Sequence, residues 1–395
     1  MKKYRNKLLF AAPIMMLSIM STGYLNIVQA NKTSQHNESI FELVGDVGEQ
    51  HASKKGLTTS VNETLTINDQ TILITESLYD GSSIHIAYII TSHNKKEATL
   101  TNRFLDEIIF TKNGAPLTIH RMSAGGEVLK SGDYAGTMTI DFYDNIPDSF
   151  MLGMTSPEKD SAKIEIPITL KGVTKSFAIH ETKKKGDKVI TYDEINFYPT
   201  GTEIQVQNII QEEQKHFHID LNLKVTDEKG RILQPIRGGS SSEPLKNGKI
   251  KVNTSYFFEP LDPIPESLLI QPYQVDLHTY KPENARKKWE GEPFTLSQGD
   301  AGTLTVLDVK AEKDLLIVTY EINGEQDFQQ AATIWVENKE GKLHSGNYPP
   351  KQLRKNTFQL TFSTTDTISE LYISTAKLRP LNYVKELETT VKFKN

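Results

Sequence analysis

Beyond Leu57 the chain alternates apolar and polar residues with period two. The runs are short and rich in β-branched residues: ETLTIND (63–69), TILITES (71–77), SIHIAYIIT (83–91), TMTIDFY (137–143) and KIEIPITL (163–170). Asp-Gly, Asn-Gly and Ser-Gly pairs separate them, the mark of strands joined by tight turns in an all-β sandwich. The pattern recurs three times. NIPDSFMLGM (145–154), PIPESLLIQP (263–272) and TISELYISTA (367–376) correspond, and LKSG (129–132), LKNG (245–248) and LRKN (353–356) precede them in the same order. Each copy opens with a similar hairpin and is read as closing with a strand: KSFAIH (175–180), EPFTL (292–296) or TTVKF (389–393). Three tandem Ig-like β-sandwiches of about 100 residues and about seven strands each are therefore expected. They span 57–182, 183–297 and 298–395, with joints near Lys183-Lys184-Lys185-Gly186 and Ser297-Gln298-Gly299.

Helical periodicity is confined to the front. Ile40, Phe41, Val44 and Val47 share one helical face, and Ser39 with Glu42 fits a capping box. Gly45 and Gly48 weaken this short amphipathic helix, which needs a partner surface, and Gly56 is its expected stop. With a polar stalk it fills residues 31–56.

Residues 1–30 read as a targeting segment. Lys2, Lys3, Arg5 and Lys7 precede the apolar core Leu8–Met20, and Val28-Gln29-Ala30 offers small residues at a cut site. Left uncut, Leu8–Val28 has the length of a membrane anchor. Both readings keep the positive end inside and send everything after residue 30 out of the cytoplasm, secreted or anchored at the membrane.

Composition narrows the function classes. The chain carries a net −5, and the leader's four cations leave −9 on the remainder, which argues against nucleic acid as a partner. Contact with the membrane is expected only through residues 8–28, if uncleaved. The absence of cysteine removes disulfides, thiolate metal sites and a Cys nucleophile.

Candidate chemistry is thin. No nucleophile elbow, P-loop, dinucleotide fingerprint or zinc-protease helix occurs. His216, His218 and Asp220 fall on one strand face, too few for a metal cage and read as a polar outer face. Ser123-Ala124-Gly125-Gly126 and Arg237-Gly238-Gly239-Ser240-Ser241-Ser242 are read as one mobile loop shared by the first two units. Asp141 with Asp144, Glu212 with Glu213 and Asp227 with Glu228 read as solvated acids, and the basic runs at Lys183–Lys185 and Arg286–Lys288 as solvated faces. No catalytic, cofactor or metal residue is assigned, and no enzyme is expected.

The stretch Ser39–Ile90, with FELVGDVG, KGLTTSVNET and LYDGSSIHIAY, resembles a domain-of-unknown-function family from spore-forming Gram-positive bacteria. The resemblance covers roughly residues 38–180. That family typically forms the extracytoplasmic part of single-pass proteins that look like membrane-bound anti-sigma factors. KVITYDEINFYPTG (188–201) looks like its companion domain. Such relatives carry a cytoplasmic sigma-binding segment, whereas only MKKYRNK precedes the apolar run here. The resemblance thus implies an exported, non-catalytic sensing or interaction module for a protein or envelope ligand. A structural or adhesive surface protein is the alternative.

Overall fold

The computed structural model describes residues 39–67, 70–92, 108–129, 131–142, 146–155, 163–186, 188–211, 221–246, 248–274, 283–312, 315–324, 327–346, 350–364, 366–379 and 381–393. The leader, His216, His218, Asp220, Asp144, Glu212 and Glu213 lie outside them. No helix among the described residues is long and apolar enough to cross a membrane.

Two short helices open the fold where one was expected: α1 (Ile40–Val44) and α2 (Val47–Lys54). Ser39 does not cap, because its hydroxyl donates to Glu76 Oε2 at 2.6 Å. The capping box forms one turn later. Asp46 Oδ1 accepts from Glu49 N at 2.8 Å, and Glu49 Oε2 accepts from Asp46 N at 3.0 Å. The chain turns extended at Gly45, so Asp46 starts a second helix. Gly56, at φ +70°, ends α2 as its position suggests.

Unit 1 comprises β1 (Thr59–Ile67), β2 (Gln70–Tyr79), β3 (Ser83–Ser92), β4 (Ile109–Lys112), β5 (Ala115–Pro116), β6 (Ile119–Val128), β7 (Tyr134–Phe142), β8 (Ser149–Thr155) and β9 (Lys163–Thr169). A five-stranded sheet, β1-β2-β3-β7-β6, faces a four-stranded one, β5-β4-β8-β9. The alternation anticipated from sequence sets which residues meet between them: Ile72, Ile84, Tyr88 and Met138 from one, Leu152 and Ile166 from the other. The outer face of the larger sheet is also covered. Ile40, Phe41 and Ala52 pack there against Leu78, Ala87, Leu129 and Ala135, which supplies the partner surface the helices need. Strand β3 is consequently buried on both sides.

Unit 2 begins with β10 (Lys175–Lys185), β11 (Lys188–Tyr198), β12 (Gly201–Gln211), β13 (Asn222–Asp227), β14 (Pro235–Pro244), β15 (Lys249–Phe258) and β16 (Ser267–Gln274). Its larger sheet runs β10-β11-β12-β15-β14. Strand β10 contains KSFAIH and pairs with β11, so this segment opens unit 2 instead of closing unit 1. The first joint lies between Thr169 and Lys175, and the three lysines sit at the end of a hairpin strand.

Unit 3 comprises β17 (Asn284–Lys288), β18 (Phe294–Ser297), β19 (Gly302–Glu312), β20 (Leu315–Gly324), the helix α3 (Asp327–Ala332), β21 (Trp335–Glu337), β22 (Leu343–Gly346), β23 (Lys351–Arg354), β24 (Thr357–Ser363) and β25 (Tyr372–Ala376). Strand β22 pairs with both β21 and β24, joining the two faces into one nine-stranded sheet around a single core. Ser297-Gln298-Gly299 is the β18–β19 turn inside this unit, not a joint.

The largest departure comes at the carboxyl end. Strands β26 (Asn382–Tyr383) and β27 (Thr389–Lys392) return to pair with β16, and Val384, Leu387 and Phe393 fill the core of unit 2. TTVKF closes unit 2, and unit 3 is inserted between β16 and β26. The interval 298–395 is therefore not one unit. Each strand's alternation is satisfied equally by either neighbour, so sequence periodicity cannot choose between them.

The glycine-rich stretches are also corrected. Ser123–Gly126 lies in β6 and Arg237–Ser242 in β14, both paired edge strands. A Cβ at Gly126 would come within 2.1 Å of Ala135 O across the ladder, so glycine serves close strand approach there.

Candidate functional site

The principal charged constellation among the described residues forms where α2, unit 1 and unit 2 meet. It starts from the turn Asp80-Gly81-Ser82-Ser83 between β2 and β3. Asp80 Oδ1 accepts from Ser82 N and Ser83 N, both at 2.8 Å, and from the Ser82 hydroxyl at 2.9 Å. Gly81 takes φ +95°, a conformation the turn can hold only because no Cβ is present. Asp80 Oδ2 is thereby left facing inward, where it accepts from the Thr200 hydroxyl of unit 2.

Period two puts Ser83, His85 and Ala87 on the outer face of β3, beneath the helices. His85 is 0% exposed, with Glu49 at 2% and Asp80 at 0%. The imidazole Nδ1 lies 3.0 Å from Glu49 Oε1, and Nε2 lies 3.8 Å from Asp80 Oδ2, the latter a contact of opposite charges without a hydrogen bond. Thr139, opposite His85 in the β3–β7 register, places its hydroxyl 3.2 Å from Nδ1 and 3.4 Å from Glu49 Oε1. One carboxylate thus caps α2 with one oxygen and holds the imidazole with the other.

A second group adjoins the first. Ser83 Oγ donates to Asp141 Oδ1 at 2.6 Å, and Arg121 Nε donates to Asp141 Oδ2 at 2.8 Å. Arg121 Nη1 also donates to Gly238 O of unit 2, across a space that a side chain at Gly239 would occupy. From β14, Arg237 donates through Nη2 to Ser83 Oγ at 3.2 Å, and its guanidinium stacks 4.1 Å from the Phe257 ring centre. The exposed pair Lys55–Asp262, 2.9 Å apart, adds little.

Burial alone would disfavour the imidazolium. The negative charges of Asp80 and Glu49, with the Glu49 hydrogen bond at Nδ1, outweigh it and raise the His85 pKa to about 9. Burial likewise pushes Asp80 and Glu49 up, but contact with His85 draws both below their ordinary values, helped by Thr200 and Ser83 at Asp80. Asp46 is raised, by burial first and then by the charge of Glu49. At neutral pH the centre is a carboxylate–imidazolium–carboxylate array.

The pH profile of stability follows from these directions. The raised His85 pKa contributes stability that is complete below the ordinary 6.5 and lost as pH rises through about 9. The lowered acids contribute above their ordinary values of 3.8 and 4.5 and lose that contribution as pH falls below them. Asp46 works against this acid limb. Urea midpoints should therefore fall between about pH 6.5 and 9, and the fall should be shallower in His85→Gln. An identical alkaline slope in both proteins would remove the buried cation from the account.

Both ring nitrogens of His85 face carboxylates, and the array is sealed from solvent. This geometry fastens elements together and offers a substrate no approach. Among the described residues, no group of three or more histidines and carboxylates could hold a metal ion. Asp227 and Glu228 serve loops: Asp227 Oδ1 accepts from Lys229 N at 2.9 Å, and Glu228 Oε2 accepts from Glu266 N at 3.1 Å. Asp141 belongs to the joint and is not the solvated acid expected from its sequence context. His85 has no histidine neighbour at ligand spacing and so carries no ligand-pair signature. The available signal was a histidine on the outer face of a strand otherwise written SIHIAYII, with an Asp-x-x-Glu box upstream to cover it.

Residues 1–92 match the model of a domain of unknown function, DUF4179, and residues 174–311 match that of a family of unknown function, DUF5643. The first match contains Asp46, Glu49, Asp80 and His85, and the second contains Thr200, Arg237 and Gly238, so the joint is assembled between them. No protein of curated function matches the chain. Among solved structures, a conserved domain protein from Bacillus anthracis is 16% identical, over 65% of this chain and 87% of that one, with a TM-score of 0.40. The mouse nectin-like molecule 4 ectodomain (Ig1–Ig3) is 11% identical, over 79% and 94%, with a TM-score of 0.13. Dpr2 Ig1-Ig2 in complex with DIP-Theta Ig1-Ig3 gives 12%, 79%, 94% and 0.14.

Proposed function

We propose that the protein is a non-enzymatic extracytoplasmic module for sensing or interaction, exported by residues 1–30 and either released or held at the membrane through Leu8–Val28. The observation that carries this reading is the use made of the buried charges. Glu49, His85 and Asp80 direct their contacts into fastening a helix and two β-units together, as a receptor-like scaffold requires and a catalytic cleft does not. Kinship with ectodomains of anti-sigma-factor-like membrane proteins from Gram-positive spore-formers is supported by FELVGDVG and LYDGSSIHIAY, the stretches that contribute Asp46, Asp80 and His85.

Fractionation with amino-terminal sequencing tests the export. A chain starting at Asn31 in the medium, or an intact one in membranes and cleaved by protease added to whole cells, is expected. A protease-protected cytoplasmic chain overturns it. Photo-crosslinkers at exposed positions of units 1 and 2 test the interaction in the same cells. A discrete adduct is expected, and its absence at every position overturns that part.

A further inference from the structure

The helices α1 and α2 touch more than the sheet beneath them. A Cβ built on Gly48 would fall 1.8 Å from Thr200 O, so the helix backbone and the β11–β12 turn of unit 2 are in direct contact, at a distance only glycine allows. The same turn is also held by Asp80, through the Thr200 hydroxyl. Two elements from different parts of the chain therefore grip one turn: α2 by backbone contact and the β2–β3 turn by a hydrogen bond. His85 joins those two elements through Glu49 and Asp80.

The hold of α1–α2 on unit 1 is local. It includes Ile40, Phe41 and Ala52 on the sheet, Glu49 against His85 and Thr139, and the Ser39 hydroxyl donating to Glu76, with Ser53 donating to Ser39 at 2.9 Å. Short helices of five and eight residues have little stability of their own, so these contacts decide whether they stay in place.

We propose that α1–α2 is a clasp that tightens unit 2 against unit 1, so that displacement of the helices leaves the units to the Asp80–Thr200, Arg121–Gly238 and Arg237–Ser83 contacts and loosens the angle between them. The clasp is independent of where the protein resides, so its failure would not bear on export.

The chain lacks cysteine, so spin labels at Glu165→Cys on unit 1 and Lys249→Cys on unit 2 report one distance in the full-length protein. The parent should give a single narrow distribution. Gly48→Ala forces a methyl group into Thr200 O and should add a broad second population, as should Glu49→Gln. Lys54→Ala, on the exposed side of α2, should leave the distribution narrow. A broad parent distribution, or a narrow one retained in Gly48→Ala and Glu49→Gln with native circular dichroism, overturns the proposal. Should both variants fail to fold, hydrogen exchange on the parent decides. The clasp requires the amides of Gln50–Lys54 and of the Thr200-Gly201 turn to open with one common free energy, and clearly different values overturn it.

Discussion

Glu49→Ala is expected to lower the unfolding free energy by about 3–5 kcal/mol, the loss typical when one partner of a buried ion pair is removed. The substitution leaves the His85 cation with a single counter-charge at 3.8 Å and strips α2 of the acceptor for Asp46 N. Glu49→Gln should cost less, because its amide oxygen still accepts from Asp46 N while the charge is lost. The decisive comparison is a double replacement. A buried pair is often no more stable than a well-packed apolar one, so Glu49→Leu with His85→Leu should recover part of the loss of either single change, while Asp80 keeps its Ser82, Ser83 and Thr200 donors but loses its counter-charge. Denaturant unfolding of the parent, Glu49→Leu, His85→Leu and the double variant checks this. A loss under about 1 kcal/mol for Glu49→Ala would mean that the pair behaves as a solvated surface bridge.

Removal of residues 381–395 should unfold unit 2 while unit 3 remains folded. The deletion takes Val384, Leu387 and Phe393 out of the unit 2 core. Each such side chain is worth about 1.5–3 kcal/mol, so the loss is roughly 5–9 kcal/mol, comparable to the whole stability of a domain. It also breaks the edge-on contacts of Phe393 with Phe177 and Phe197, at 4.9 and 5.1 Å between ring centres. The buried Tyr192 hydroxyl loses its acceptor, Leu387 O, at 2.7 Å. Unit 3 closes its own core from Phe294 to Ile373 and loses nothing directly. Hydrogen exchange read by mass spectrometry should show protection lost over Ile190–Val206 and kept over Leu304–Ile322. The reverse outcome would show that the terminal strand belongs to unit 3 after all.

Much of the site lay in plain view as local chemistry. Asp80-Gly81-Ser82-Ser83 is a turn by its residue types, Asp46 and Glu49 carry the spacing of a capping box, and His85 sits on the helix-facing side of its strand by parity. None of these features says that the three carboxylates and the imidazole converge, because convergence depends on the helices folding back over β3. Ser39 and Glu42 carry the same box spacing as Asp46 and Glu49. Both pairs satisfy the same local rule, and only the partner found by Ser39, Glu76 on β2, removes the first from competition.

By itself the sequence determined that this is an all-β chain in three recurring sections behind a short helical segment, and which face of each strand would be buried. Those properties are local, set by period-two alternation and turn residues. The tertiary structure alone decided that KSFAIH opens unit 2, that TTVKF returns to close it around an inserted unit 3, and that the glycine-rich stretches are edge strands. It alone brought Glu49, His85, Asp80 and Thr200 to one point. Strand alternation specifies a face but not a neighbour, and the choice of neighbour rests on the summed burial of a whole core and on charges that meet only once the chain has closed.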